Sequence, residues 1–510
     1  MEKFVSPLWV VIGVEVLGVA LMMLGVLPRE ATLFLVGIFI FFVMFASLKQ
    51  ATLFAVFSIP LYTALPIIES FDSMAAWRII VAILFLRVLV RSPWILLSRS
   101  FRTSLGRLGI LAGLFFALGT LSLFVAPEPI FGIRKLLYLA NIFALFFVIR
   151  EVVKNKQDFV DVLKYTFAGS VFTLLMGYAQ FLTILFVPLF TFWQWWAQNV
   201  IPIFYGAALG NLLSYANTWF SYYEEAEATL RVFSIFPDSH SFALSMVLAL
   251  PVALTFFLMS RGRTRLTLGA FVILAFLAII FSGTRGVWIG AVPVLLTLIT
   301  GFVLLRACGS GGLSSRTRLR GVLKLSIVTL LLFALLFPVS SQLLKFSQMR
   351  QGGIVSESSF ERILTSFSTR ELSNLGRIQI WKSTFESIAR RPFLGVGIGN
   401  YPVVLNENVS ATKEGASAHS LYLDVASEMG ILAAVILLFM FLEILWRAIK
   451  VFLENEDLIF STFAGFFAIY FLWVMAYSAV DVVLLNDKVL LLFVTLVALL
   501  YARINQHSRV

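Results

Sequence analysis

Residues 241–306 read SFALSMVLALPVALTFFLMS, then RGRTR, then LTLGAFVILAFLAIIF, then SGTRG, then VWIGAVPVLLTLITGFVLLR. Three apolar runs, near 241–260, 266–282 and 286–305, are separated by a few residues each. A helix needs about 20 mostly apolar residues to cross about 30 Å of hydrocarbon, and each run is close to that length. Their backbones satisfy their own hydrogen bonds only as helices when no water is present. The stretch therefore predicts an all-α chain folded in lipid.

Working outward, eleven further runs lie near 9–27, 31–47, 51–68, 76–90, 108–126, 131–149, 165–189, 322–340, 421–446, 459–478 and 488–503. The expectation is a polytopic membrane protein of about 12–14 transmembrane helices. The weakest are the third, with Pro60 and Pro66, and the fourth, with Arg78 and Arg87. The first run is longer than a signal-peptide core and no A-x-A site follows it, so it is expected to be retained.

Composition agrees. Of 510 residues, 60% are hydrophobic and 13% charged, whereas soluble domains are about half apolar and about a quarter charged. That excludes a soluble multi-domain enzyme and a disordered or fibrous chain. The lone cysteine, Cys308, excludes an intramolecular disulfide and a cysteine zinc site. Three histidines (His240, His419, His507) without HExxH exclude the common zincin pattern.

The net charge of +12 follows from topology. One set of connections, such as Arg261, Arg263 and Arg265 in RGRTR, holds 22 Lys and Arg. The short connections on the other side hold Arg29, Arg285 and Lys488. Cytoplasmic loops carry the excess of Lys and Arg, so both termini are expected in the cytoplasm, and no nucleic-acid partner is needed.

Two outer segments are too long to be turns, 190–240 and 341–420. The expected organisation is membrane helices over 1–189, a first periplasmic loop over 190–240, membrane helices over 241–340, a large helical periplasmic loop over 341–420, and membrane helices over 421–510. The second loop carries 15 of the chain's 66 charged residues. In it Phe360, Ile363, Leu364 and Phe367, then Ile378, Trp381, Phe385 and Ile388, recur at helical spacing. This predicts a helical hairpin over the membrane face, with Ser373 or Asn374 capping its second helix and Pro392 after its end. The bland alternative is a mere cap.

Four residues fall on the outer side: Arg231 in LRVFSIFPDSH, Arg285 in SGTRG, Arg377 opening the second loop helix, and His419 in SAHSLYLDVASEMG. The planar guanidinium fork suits phosphate oxygens, and histidine exchanges a proton near neutral pH. Converging arginines at a lipid–water boundary are what a lipid diphosphate headgroup requires. Each has a structural alternative: Arg285 snorkelling at a helix end, Arg377 pairing with a loop carboxylate, His419 as a hydrogen-bonded loop histidine. Asp424 and Glu428, four apart, share a helix face; they either support His419, as orienting groups or as the base, or make polar contacts between helices. Glu15 lies within the first run, where a carboxylate is a functional hypothesis by default, yet it is remote in sequence from these residues. Gly395, Gly397 and Gly399 in PFLGVGIGNYP do not form a dinucleotide fingerprint, because no strand precedes them; they are expected to bend the chain. ENED at 454–457 reads as a solvated acidic turn.

In order, SGTRGVWIG, a long polar loop, RIQIW…RRPFLGVGIGNY and AHSLYLDVASEMGIL resemble the O-antigen ligase and Wzy-type polymerase superfamily over roughly 230–435. The resemblance implies a GT-C-like fold and glycan transfer from a polyprenyl (undecaprenyl) diphosphate donor at the periplasmic face. It implies donor-diphosphate roles for the arginines at 285 and 377, and places the family histidine on His419. Departures are Ser420 where the family often has Asn, and Pro237-Asp238 where it often has Pro-Asn.

The expected mechanism is metal-independent, inverting and cofactor-free. Arg231, Arg285 and Arg377 stabilise the leaving diphosphate, and His419 accepts or orients the proton of the acceptor hydroxyl. Acceptors within the family are lipid A–core, another lipid-linked glycan, or protein serine or threonine. The rival from another class is a lipid-linked sugar flippase or secondary transporter, which would show internal repeats around a midplane site.

Overall fold

A computed structural model describes residues 6–67, 72, 74–91, 99–214, 219–221, 227–307, 313–352, 372–407 and 417–502. Within these residues the chain is almost entirely α-helical, as lipid demands of a backbone that must bond to itself. The first helices are α1 (Pro7–Met23), α2 (Ala31–Phe45), α3 (Leu48–Phe57), α4 (Trp77–Arg91), α5 (Arg99–Ser122, interrupted at Gly106), α6 (Pro129–Val152) and α7 (Lys156–Thr183). Three short helices follow, α8 (Leu189–Trp195), α9 (Ile201–Tyr205) and α10 (Ala207–Ser214). Then come α11 (Ser239–Met259), α12 (Gly262–Phe281), α13 (Arg285–Ala307), α14 (Leu313–Arg350), α15 (Leu372–Arg390), α16 (Leu421–Met429), α17 (Ile431–Glu454), α18 (Leu458–Ser478) and α19 (Asp487–Leu500). Sheet is confined to two antiparallel two-residue pairs, Ala64–Leu65 with Met74–Ala75 and Phe220–Ser221 with Thr229–Leu230. The protein is an all-α polytopic membrane protein. Among the described residues, nine helices are long and apolar enough to cross a membrane.

Every expected run contains a helix, but several differ in extent. The third run yields a helix of 10 residues, followed by a 3-10 turn over Ile59–Leu61; at 1.5 Å per residue it spans only about 15 Å. Pro60 lies in that turn, where its missing N–H is tolerated. The twelfth run is two helices, because Gly430 has φ 88° and separates α16 from α17. Helix α14 runs to Arg350, ten residues beyond the expected end of the eleventh run and into the segment read as loop. Of the predicted hairpin, the second helix is α15; it begins at Leu372, ahead of Ser373 and Asn374, and ends before Pro392. The first, around Phe360–Phe367, lies outside the described residues, as does Cys308. Gly395, Gly397 and Gly399 all have positive φ, in keeping with a chain that bends there. The ENED turn does more than stay solvated: Asp457 Oδ1 accepts from the Ile459 and Phe460 amides at 3.0 and 3.2 Å and caps α18.

Helices α11 and α18 form the centre. Buried residues make up 78% and 83% of their apolar stretches, against 22–50% for the other long spans. The start of α11 and the end of α18 meet at one end of the bundle, here termed the site end. The segment after α7 packs over this end. Trp193 stacks on Trp219 with centroids 4.9 Å apart, and Trp219 meets Phe233 at 4.1 Å. Each such aromatic contact adds about 0.5–1.5 kcal/mol beyond its area, which orders a segment that carries site residues.

Ionisable groups within the helices are engaged. Ser58 Oγ donates to Glu15 Oε2 at 2.6 Å, fully buried. Arg87 donates to the Val43 and Ala46 carbonyls at the end of α2. Arg78 is exposed and lies over the Trp77 and Tyr138 rings. Lys488, expected in a short outer connection, is instead buried in α19, where Nζ donates to the Pro60 carbonyl at 2.8 Å and faces the Phe204 ring.

Candidate functional site

Arg231 follows the Thr229–Leu230 strand, and its amide donates to the Trp219 carbonyl at 2.8 Å. The aromatic cluster thus fixes its backbone. Its guanidinium donates through Nε to the Ser282 carbonyl at 3.1 Å and through an η nitrogen to the Gly283 carbonyl at 3.4 Å. These carbonyls belong to the turn between α12 and α13. Gly283 has φ 63°, and a Cβ there would sit 3.2 Å from Arg231 Nε, so the turn requires glycine to come this close. The same turn leads directly into Arg285, the first residue of α13. Arg231 and Arg285, 54 residues apart in sequence, are thereby held by one turn.

A second η contact of Arg231 is His240 Nε2, at 2.9 Å. Guanidinium has no acceptor, so Nε2 accepts, and the proton assigned by these partners lies on Nδ1. That nitrogen faces Asp481 Oδ2 at 2.6 Å. Tyr477 Oη also donates to Asp481 Oδ2, at 3.0 Å. Burial pushes the Asp481 carboxyl up, but His240, and after it His419 and Arg377, outweigh burial and hold the group ionised down to about 2. Asp481, His240 and Arg231 therefore form a chain from the end of α18 to the strand. Gly286 brings Arg285's helix against this chain: a Cβ there would lie 3.0 Å from the Tyr477 ring.

Arg377 and His419 approach from the other side. Trp381 Nε1 donates to the Ala418 carbonyl at 2.9 Å and ties α15 to the residue before His419. Arg377 is four residues earlier on α15, on the same face. His419 has φ 47°, left-handed backbone that a non-glycine residue seldom adopts, and such conformations persist where the surroundings over-determine them. Ser420 Oγ caps α16 immediately after it. Burial lowers the His419 pKa, the Arg377 charge lowers it further, Asp481 opposes them, and His240 adds a small lowering. Among the described residues its ring has no hydrogen-bond partner. The structure thus brings Arg231, Arg285, Arg377 and His419 to the same end of the bundle.

Asp424 and Glu428 lie elsewhere in the arrangement. Asp424 Oδ1 accepts from the Ala418 amide at 3.1 Å and holds the turn beneath His419. Both carboxylates otherwise turn to Lys135 on α6, at 2.6 Å for Glu428 and 3.6 Å for Asp424. Glu428 is 2% exposed, and removing one partner of such a cluster leaves buried charge uncompensated, at a cost of about 3–5 kcal/mol. Lys135→Met is expected to lower the thermal midpoint of the detergent-solubilised protein by several degrees; an unchanged midpoint would show that the cluster contributes nothing to stability.

The sequence reading missed His240, Asp481, Tyr477 and Lys135. His240 stands three residues after Pro237 in the same LRVFSIFPDSH stretch that supplied Arg231. A carboxylate at an outer helix end, Asp481 in YSAVDVV, was the second available signal. Lys135 sits inside an apolar run, where a lysine calls for a carboxylate partner.

Among curated proteins nothing matches the chain. The family model for O-antigen ligase, Wzy_C, matches residues 269–438. The matched stretch contains Arg285, Arg377, His419, Asp424 and Glu428, while Arg231, His240 and Asp481 flank it. Over that third of the chain, set in an all-α membrane fold, the protein is similar to the O-antigen ligase family.

Proposed function

We propose that this protein transfers an oligo- or polysaccharide from a polyprenyl diphosphate donor to an acceptor hydroxyl at the periplasmic face of a bacterial inner membrane. The acceptor is lipid A–core or a growing lipid-linked glycan. The observation that carries the reading is the convergence of Arg231, Arg285, Arg377 and His419, whose imidazole has no hydrogen-bond partner among the described residues, at one end of the helices. The loops around Arg261–Arg265 lie at the opposite end of α11 and α12, and the positive-inside rule puts that end in the cytoplasm.

In this reaction the acceptor oxygen attacks the anomeric carbon while the bond from that carbon to the phosphate oxygen breaks, inverting the anomeric centre. The acceptor proton passes to His419, whose depressed pKa keeps it neutral and able to receive. The electron pair leaves with the diphosphate, whose growing charge is met by the guanidinium groups. Arg231 is oriented in advance, because two carbonyls and His240 fix its plane before any substrate arrives. Charge neutralisation is assigned to these side chains, with no metal in the scheme.

The test is reconstitution in liposomes with a diphosphate-linked glycan lipid and each acceptor class in turn. A new glycosidic bond to lipid A–core or to a second lipid-linked glycan is the expected product. Movement of the donor across the bilayer with no new bond would replace this reading with a flippase. Glycan on serine or threonine of a protein would keep the chemistry and change the acceptor.

A further inference from the structure

Lys488 is the second residue of α19 and is 1% exposed. Burying an ammonium is costly unless it is paired and hydrogen-bonded, and the positive end of the helix dipole adds to the cost in a first turn. Lys488 makes no ion pair among the described residues. The adjacent carboxylate, Asp487, is instead engaged by Trp77 Nε1 at 3.0 Å and by the Lys488 amide at 2.7 Å. An ionisable residue kept inside a membrane bundle under these conditions calls for a role, and the reaction scheme above gives Lys488 none.

Its contacts lead to the site. Besides the Pro60 carbonyl, Nζ donates to the Ile235 carbonyl at 3.3 Å. Tyr205 Oη donates to the same carbonyl at 3.2 Å, and the Tyr205 and Phe204 rings of α9 lie 4.9 and 4.4 Å from Nζ. Ile235 stands four residues after Arg231 and five before His240. Those two residues close the segment into a loop through the 2.9 Å contact of the guanidinium with His240 Nε2. The first half of the loop is held by Gln180, whose Oε1 accepts from the Phe233 and Ser234 amides and whose Nε2 donates to the Ser234 carbonyl. Ser234 has φ 56°, so the chain turns sharply there, and Ile235 is the next residue. The far end is fixed by Asp238, which caps α11. Between Ser234 and Asp238 the Ile235 carbonyl is the point at which α19 and α9 grip the loop.

We infer that Lys488 is a positioning residue for the transfer reaction: by holding the Ile235 carbonyl it keeps the two ends of this loop, Arg231 and His240, at the separation that aims the Arg231 guanidinium. The inference rests on Arg231 serving the donor diphosphate. An ammonium suits the task because it carries three donors on a flexible stem, so one side chain reaches the turn after α3, the site loop and the α9 rings together. Hydrogen bonds from a charged donor are also the stronger kind. An apolar side chain in its place would leave the Pro60 carbonyl without this donor and the Ile235 carbonyl with Tyr205 alone.

The test is a double-mutant cycle on the full-length protein in nanodiscs. Lys488→Met keeps the stem and removes the donors. Tyr205→Phe removes the second donor to the same carbonyl more mildly, so that a folding defect in the first leaves the second. Each is made alone and with Arg231→Ala, and kcat/KM for a polyprenyl diphosphate-linked glycan donor is measured. Lys488→Met alone is expected to lower kcat/KM about tenfold, the scale of a lost hydrogen bond from a charged donor, and Tyr205→Phe by less. With Arg231→Ala already present, neither should cost anything further, because a residue that acts through Arg231 has nothing left to position. An undiminished loss in that background, or wild-type kcat/KM in both single variants, overturns the inference. A second arm does not depend on turnover. Amide hydrogen exchange over residues 232–236 is expected to speed up about tenfold in Lys488→Met and less in Tyr205→Phe, with α17 unchanged. Unchanged exchange over 232–236, or equal loosening of α17, overturns it. Absent transfer by wild-type protein would count against the proposed reaction, and the exchange would still decide whether Lys488 holds the loop.

Discussion

Replacing His419 with alanine is expected to lower kcat by roughly 10²- to 10⁴-fold, the usual contribution of a positioned general base, with far less change in donor KM. The argument begins with its backbone. At φ 47° the residue is fixed by the Trp381–Ala418 hydrogen bond on one side and the Ser420 cap on the other, so the ring direction is set by the fold. Burial, then Arg377, depress its pKa below the ordinary value of about 6.5. For a base the sign follows directly: the neutral, active form persists to lower pH than in an ordinary histidine, and the acid limb of kcat/KM is displaced downward. Two substitutions should move that acid limb in opposite directions. Arg377→Gln removes a cation that disfavours protonation and shifts the limb upward. Asp481→Asn removes an anion that favours it and shifts the limb downward. A profile indifferent to both would mean that another group is titrating. Full activity in His419→Ala would remove the base from the mechanism altogether.

The parts of this fold that follow from local chemistry were legible in the sequence. Among the described residues, hydropathy located each of the nine helices long and apolar enough to cross a membrane, because lipid imposes a length and a composition on each. It did not locate the interruption at Gly430, since a glycine between apolar residues is compatible with a continuous helix until packing against another segment decides otherwise. Here a Cβ at Gly430 would fall on the Phe393 carbonyl. Nor did it show that α3 stops after ten residues: the run stays apolar past Pro60 because the following turn is itself buried. The arginines and His419 could be read because chemistry and expected topology point the same way. Asp481 and His240 could not be paired from sequence. They are 241 residues apart and meet because the start of α11 and the end of α18, the two most buried of the long spans, come together at one end of the bundle. Asp424 and Glu428 show the reverse case. Their i, i+4 spacing was visible, but their partner, Lys135, lies on a helix whose position depends on the whole bundle.

Arg285→Lys is expected to reduce kcat/KM for the lipid diphosphate donor about 10²-fold, although the charge is kept. Loss of one pre-positioned donor to a developing oxyanion has a cost of this order in other enzymes, about 10²- to 10³-fold. Lysine offers a point charge on a flexible stem, whereas arginine offers a planar fork that engages two phosphate oxygens at once. The turn that presents Arg285 makes the substitution informative. Ser282 and Gly283 hold Arg231 through their carbonyls, and Gly286 seats α13 against Tyr477, so neither the backbone nor the neighbouring arginine need move. The division of the loss between constants identifies what the fork does. A rise in KM with kcat preserved assigns Arg285 to ground-state binding of the diphosphate; a fall in kcat assigns it to the charge that grows as the glycosyl bond breaks. Arg285→Ala sets the scale. If alanine is no worse than lysine, the fork accounts for the whole contribution, and if lysine matches wild type, Arg285 is a helix-end cation at the interface and the diphosphate is held by Arg231 and Arg377.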